Sequence, residues 1–522
     1  MKYTLNSEFL YRILAPMKKS FLTNILLLVF LNLLIKPLWV FIEVEVQNKA
    51  GIEQYGLYFA LFNLSLILNM ILDGGIVNFN NKKIAANPSL ANQYINKLIP
   101  LRFLLGLIYL VLLIVVFLAL GYKNSSILLL ATLGFNQFLL AVLMFLRSNL
   151  QGLHFFKSDS IISITDRVIM ASLVLYMFYT ISTAEFNIMW FAYIQTAGYA
   201  VTVLLAFAFL VFHSSVKIKP QFSLRFSLAY LKKCFPYALI GIFMLLYSFS
   251  DSVILERYRG DAEAGIYAQS SRLLLALINF SYLFSVPLLP MFARMIAKKE
   301  NVNELVQLSG SILILSSIFI AFTCAIHAEN IISALYAQKE DLSLVQKLVL
   351  SFKGELTNIE NAREIALSSK VFLFTILSFI PMSAMYIYGT FLTAAGEMKL
   401  LNITAALGVV LNFTANLLLI PHYGVEAAAI VSVITQSFVC LFQIIYARKK
   451  FKLHISRSLF IRYLLSFSAF AMVTYLLQLS NLSWIIQVFA AILSGIAAAI
   501  FIKAIPLPSI SKVFLRKAET LN

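Results

Sequence analysis

The sequence predicts an all-α integral membrane protein of about 14 transmembrane helices, arranged as two pseudo-symmetric six-helix bundles plus two C-terminal helices. Three observations predict it. Of the 522 residues, 61% are apolar and only 12% are charged, whereas a soluble globular chain is about half apolar and about a quarter charged. The apolar residues fall in runs of roughly 20, the helix length that crosses a hydrocarbon core of about 30 Å. Basic residues are dense in every second connection and sparse in the others, the pattern that orients helices across a membrane.

Spans are expected at 21–42, 54–79, 99–121, 126–147, 160–181 and 186–212, then at 236–255, 264–290, 305–327, 370–395, 398–420 and 424–447. Two more follow at 459–478 and 483–504. The first run starts after Lys18 and Lys19 and lacks a small-residue cleavage site, so it reads as a span rather than a signal peptide. The basic connections carry Lys82, Lys83 and Lys97; Arg147 and Lys157; Lys217, Lys219, Arg225, Lys232 and Lys233; Arg294, Lys298 and Lys299; Lys399; and Arg448 to Arg462. The opposite side carries Lys49, Lys123, Arg257, Arg259 and a few in the loop after the ninth span. This asymmetry puts both termini in the cytoplasm.

The net charge of +18 is thereby spread between apolar runs instead of gathered on a soluble face, which points to anionic lipids and away from nucleic acid. Cys234, Cys324 and Cys440 lie far apart, and the five histidines have no ligand spacing, so neither disulfides nor a metal site are expected. No phosphate-binding glycine loop and no nucleophile–base pair stand out. The chain is not expected to be an enzyme, and no cofactor is implied.

The second span opens Gly51-Ile-Glu-Gln-Tyr-Gly56-Leu-Tyr58 and the eighth opens Gly260-Asp-Ala-Glu-Ala-Gly265-Ile-Tyr267, both G-x4-G-[LI]-Y. Gln151-Gly152 at the end of the fourth span is matched by Ala395-Gly396 at the end of the tenth. Spans 1–6 and 7–12 thus read as two copies of one unit. The expected organisation is a first bundle over 1–215, a basic linker over 216–235, and a second bundle over 236–450 with an outer-loop insertion at 329–367. The last two helices and the tail occupy 451–522. Parallel repeats of this kind bind cargo between two bundles that rock to give alternating access.

At these residues the sequence resembles the polysaccharide transporter (oligosaccharide flippase) family of the multidrug/oligosaccharidyl-lipid/polysaccharide exporter superfamily, which also includes the lipid II flippases. Gly56-Leu57-Tyr58-Phe59 through Leu72-Asp73-Gly74-Gly75-Ile76 is similar to its second-helix signature. Asp251 to Leu255, Gly260, Gly265-Ile266-Tyr267 and Arg272 are similar to its helix 7–8 signature. Gly396 to Lys399, Asn412, Asn416, Leu419-Ile420-Pro421, Tyr423-Gly424 and Ala427-Ala428-Ala429 are similar to its helix 11–12 signature. The resemblance implies movement of an undecaprenyl-pyrophosphate-linked oligosaccharide (an O-antigen, capsule or exopolysaccharide unit) across a bacterial inner membrane. Membrane lipids, a glycan polymerase and glycosyltransferases are the implied partners, and the working form is expected to be a monomer. The segment 329–367 departs from the family, where a shorter connection is expected.

Ionisable groups within hydrocarbon usually face a bundle interior or a watery cavity. Arg272 lies ~12 Å, Arg167 ~10 Å and Lys36 ~9 Å into their spans at 1.5 Å per residue. Together they offer successive stations for a diphosphate, whose hydration only charge-assisted donors replace. The competing structural reading has Lys36 reaching out to the surface and Arg167 pairing with Asp166. Asp251 and Asp73 are acidic counterparts, either gates that pair with a cation in one state or helix-end acids that cap and pack. Asn412 and Asn416, one turn apart, pack against another helix or line a sugar path. A proton gradient, a sodium gradient or the membrane potential are the candidate energy sources. The alternatives are an ion-coupled multidrug antiporter, which should bury more acids in its first bundle, and a membrane polymerase or glycosyltransferase, which needs a catalytic outer loop.

Overall fold

Apolar runs without charge have no water-facing side to offer, so they form helices whose backbone groups are satisfied internally. The computed structural model describes residues 37–180, 186–213, 217–338, 361–454 and 456–505, with positions 31, 35, 346 and 349–351. Every regular element among the described residues is helical: α1 (37–50), α2 (Ile52–Asp73), α3 (Ile76–Ala86), α4 (Ala91–Ala119), α5 (Ile127–Gly152), α6 (Phe156–Thr180), α7 (Ile188–His213), α8 (Leu224–Arg259), α9 (Asp261–Ser285) and α10 (Leu288–Ala297). The series continues with α11 (Asn303–Ile326), α12 (Ala328–Tyr336), α13 (Ala362–Leu377), α14 (Phe379–Ala394), α15 (Met398–Phe451), α16 (Arg457–Gln478) and α17 (Trp484–Phe501).

Twelve helical stretches of the described residues are long and apolar enough to cross a membrane. The longest, α15, has 54 residues. Unbroken, it would extend ~80 Å, more than twice a hydrocarbon core. Its backbone leaves the helix at Gly424, with φ 59° and ψ −139°, three residues after Pro421. Only glycine adopts that conformation without strain, and a Cβ there would also overlap the Glu263 carboxylate. Glu263 accepts the Val425 N–H at 2.8 Å and the Arg259 Nε–H at 2.8 Å, so it satisfies a donor at the start of the second half. α15 therefore crosses twice, and the twelve stretches make thirteen passes. The expected first span, 21–42, lies mostly outside the described residues, as do much of the expected outer-loop insertion at 329–367 and the tail beyond 505.

The structure interrupts three expected spans. Residues 54–79 divide at Asp73-Gly74-Gly75, residues 264–290 at Pro287, and residues 370–395 at Ser378. The basic segment expected as a linker at 216–235 is largely the start of the 36-residue helix α8.

The chain divides into two compact units, Met1–Ala50 with Leu61–Ile242, and Gly51–Ala60 with Phe243–Asn522. In the first, α7 and α3 pack on α5, and α6 packs on α7. Ile84, Ile95, Leu146, Leu150 and Leu210 form one buried cluster, and Leu98, Leu101, Phe145, Tyr230 and Cys234 another. On α4, Phe103, Leu107, Val111, Val115 and Leu118 are each more than half exposed. An apolar stripe of that length is unfavourable in water and suited to lipid.

In the second unit, α9 packs on α13 and α14, and α14 packs on α11 and α15. α16 and α17 pack on each other, and α17 reaches α11 through Gly495, where a Cβ would meet the Phe319 ring at 2.9 Å. The two G-x4-G-[LI]-Y motifs meet in this unit. Gly51 and Gly260 both have positive φ (79° and 88°) and start α2 and α9. A Cβ on Gly56 would overlap the Asp261 carbonyl, and a Cβ on Gly265 would overlap the Ile52 carbonyl. Each motif's second glycine thus touches the other motif's helix four residues before its own second glycine. This reciprocity is the pseudo-twofold relation of a repeat, and it explains why glycine occupies both positions.

Candidate functional site

In the second unit, α8, α9 and the first half of α15 bring five polar side chains together in an apolar interior. Asp251 is fully buried. Its carboxylate accepts from Asn416 Nδ2 at 2.6 Å and from the Tyr267 hydroxyl at 3.1 Å. Asn416 Nδ2 also donates to Asn412 Oδ1 at 3.0 Å, and the Ser250 hydroxyl donates to the same oxygen at 3.0 Å. Asn412 and Asn416 are both at 0% exposure, and their one-turn spacing aims both at α8. Asp251 has no cationic partner among the described residues. A carboxylate held by neutral donors in this way keeps the capacity to take up a cation or a proton.

Three aspartates of the first unit are held differently, each beside an arginine. Asp73 is bound to the Arg102 guanidinium at 3.1 Å, and Arg102 also donates to the Leu72 carbonyl at 2.5 Å. Asp73 accepts the N–H groups of Gly75 (3.1 Å) and Val77 (3.2 Å), so it caps α3 across the Gly74-Gly75 turn. Arg102 is 3% exposed and its guanidinium lies 5.2 Å from the centre of the Phe145 ring. Asp159 is bound to Arg147 at 2.7 Å and accepts from Gln151 at 2.8 Å. Asp166 accepts the Arg167 backbone N–H at 2.8 Å, with the Arg167 Nε 3.9 Å from its carboxylate.

The Arg167 guanidinium spreads over the Trp39 ring, 4.6 Å from its centre, and Trp39 stacks on Phe191. Both the expected proximity to Asp166 and an aromatic seat are therefore present. Arg272 is 8% exposed, with its guanidinium 5.1 Å from the centre of the Phe59 ring within the second unit. Lys36 lies outside the described residues. The sequence reading treated Asp251 and the two asparagines as separate features, and the structure joins them. It missed Tyr267, which stood in the repeat motif without an assigned chemistry. It also missed Arg102, whose place at the start of an apolar run reads as an interfacial charge. Among the described residues, no cluster of three or more His, Cys, Asp or Glu that could hold a metal ion occurs.

The sequence of residues 21–296, more than half of the chain, matches the family model described as polysaccharide biosynthesis protein. The chain belongs to the polysaccharide biosynthesis protein family. Among curated proteins none matches the sequence. The fold of this family member is similar to that of the lipid II flippase MurJ in an inward closed conformation, with a TM-score of 0.70 at 16% identity over 92% of this chain and 99% of that one. It is also similar to an inward-facing multidrug resistance MATE family transporter of the MOP superfamily, with a TM-score of 0.56 at 15% identity over 80% of this chain and 94% of that one. A MOP superfamily transporter from Pyrococcus furiosus aligns with a TM-score of 0.53 at 12% identity over 82% and 95% of the two chains. This polysaccharide biosynthesis family member therefore has the all-α membrane fold of these transporters.

Proposed function

We propose that the protein is a flippase that moves an undecaprenyl-pyrophosphate-linked oligosaccharide between the leaflets of a bacterial inner membrane, with both termini in the cytoplasm. The observation that carries this reading is the fold correspondence with the lipid II flippase MurJ over nearly the whole of both chains, in a chain of the polysaccharide biosynthesis family. The oligosaccharide is a subunit of an O-antigen, capsule or exopolysaccharide, which adjoining glycosyltransferases supply and a polymerase consumes.

Alternating access is the mechanism that suits such a cargo, because neither the diphosphate nor the sugar can cross hydrocarbon unaided. Solved structures of similar fold in inward-facing and outward-facing forms support it. Arg167 and Arg272 would meet the diphosphate at different stages, each holding a permanent charge that matches phosphate oxygens. Asp251 would take up the proton or sodium ion of a gradient, with Asn416 and Tyr267 turning their dipoles to suit. The chain would do no covalent chemistry of its own.

A multidrug antiporter of the same superfamily is the second reading, favoured by the buried Asp251. Against it, Asp73, Asp159 and Asp166 in the first unit each lie within 4.0 Å of an arginine, which leaves those acids occupied. The test is glycan export in a host whose own exporter is deleted. The Arg167→Ala/Arg272→Ala double variant should insert at the normal level and lose export. Full export by that variant removes the phosphate stations, and drug resistance conferred without glycan export selects the antiporter.

A further inference from the structure

The second unit contains a cavity of about 400 Å³ between α11, α14, the end of α15 and α16. Its lining is polar at one end and apolar along the rest. The polar end holds Arg448 and Gln307, together with Leu453 and His454 that follow α15. His454 is tied to α11: Gln307 donates to the His454 carbonyl, and the His454 N–H donates to Asn303 at 3.1 Å. From Gln307 the wall follows α11 through Ile314 and Ile318 to Phe322, fifteen residues or ~22 Å of helix. One leaflet's share of the hydrocarbon is ~15 Å. The cavity is therefore deep enough for an extended acyl chain. Phe322 and Leu464 line it and are themselves exposed, so it opens on the lipid side of the helices.

The charge at the mouth is uncompensated. Lys450 is engaged by Glu397 at 2.6 Å, whereas Arg448 has no ion-pair partner among the described residues. Among the described residues no carboxylate lines the cavity. Lys449, Lys452 and Arg457 add positive charge around it. A basic opening between membrane helices above an apolar slot matches an anionic phospholipid, and one free guanidinium matches the single charge of a phosphodiester. We propose that this cavity is a binding site for one anionic phospholipid, its phosphate at Arg448 and one acyl chain along α11. The lipid would complete the packing of α16 on α11 and fix the basic end of the chain to its leaflet.

Gly310 gives a clean way to test this. It borders the cavity, and a Cβ there would meet only the Ile314 Cδ1 at 3.8 Å, so a side chain at 310 starts without a backbone clash and Gly310→Leu is placed to fill the slot. Leucine is also the better helix former. The full-length protein, stripped of lipid in detergent, is titrated with phosphatidylglycerol or phosphatidylcholine and followed by native mass spectrometry. The wild type should retain one phosphatidylglycerol per chain, preferred over phosphatidylcholine by roughly fivefold, the factor expected for one basic side chain near a phosphate. Arg448→Ala should reduce that preference at least threefold, and an unchanged preference in that variant overturns the placement of the phosphate. Gly310→Leu should lose the retained lipid while its melting temperature stays at or above that of the wild type. Equal retention of both lipids by the wild type overturns the proposal, as does retention of phosphatidylglycerol by Gly310→Leu. Displacement of phosphatidylglycerol by an equimolar polyprenyl phosphate also overturns it, because the cavity then belongs to the transported lipid.

Discussion

Asp73 in the first unit and Asp251 in the second both stand on helices that cross the membrane, yet they are held in opposite ways. Asp73 is closed off by a guanidinium and two backbone N–H groups and marks the break between α2 and α3. Asp251 is fully buried and, among the described residues, receives neutral donors, the Asn416 amide and the Tyr267 phenol among them. The first arrangement compensates its charge completely and serves the shape of the bundle. The second holds a buried carboxylate with neutral donors alone among the described residues, an arrangement that costs free energy when the group is charged, and we propose that it is kept for function rather than stability.

The largest effect should come from removing the cation. Arg102→Ala leaves Asp73, 22% exposed, without its cation at a helix break, and loss of one partner of such a largely buried pair costs up to about 3 kcal/mol. We expect little folded protein, read as a collapsed melting transition in detergent. Replacing both partners, Asp73→Asn with Arg102→Met, should recover all but about 1 kcal/mol, since the buried charges then disappear together. If the double variant is as unstable as the single one, the cost of Arg102→Ala does not come from an uncompensated Asp73 charge, and this reading of the pair fails.

In the second unit Asn416→Ala removes the shortest hydrogen bond to Asp251 (2.6 Å). The loss should be about 2 kcal/mol if the carboxylate is charged at rest. An unchanged melting point would show that Asp251 rests neutral, which sharpens the comparison in favour of a proton. The smallest effect should be at Glu397, in the turn before α15. Its carboxyl is held below the usual range by the Lys450 ammonium and the Tyr446 hydroxyl. A depressed pKa contributes stability above the unfolded value of about 4.3, and that contribution is lost as pH falls through the folded value. Glu397→Gln should therefore melt slightly below the wild type at pH 7, with the two curves merging below about pH 4.

Much of this fold is visible in the sequence because lipid imposes length and polarity so strictly. Apolar runs mark the passes, and Gly51, Gly56, Gly260 and Gly265 announce a repeat whose reciprocal contact needs bare backbone. The interruptions were less legible. Asp73-Gly74-Gly75 and Pro287 sit inside runs whose hydropathy does not change, so hydropathy alone carries straight through them. Partnerships were least legible of all. Asp251 meets Asn416 across 165 positions and Asp73 meets Arg102 across 29, and no local pattern specifies which helices become neighbours. Arg102 was hidden for a further reason: a cation near the end of an apolar run looks solvated until the acid beside it is seen.

The measurement that bears most directly on the contrast pairs Asp251→Asn with the Asp73→Asn/Arg102→Met double variant, scoring export rate and melting temperature for each in the same host and detergent. Asp251→Asn should melt within a few degrees of the wild type and export at least tenfold more slowly, while the double variant should export at close to the normal rate. Normal export by Asp251→Asn, or loss of export by a stable double variant, would contradict the division of labour between the two acids.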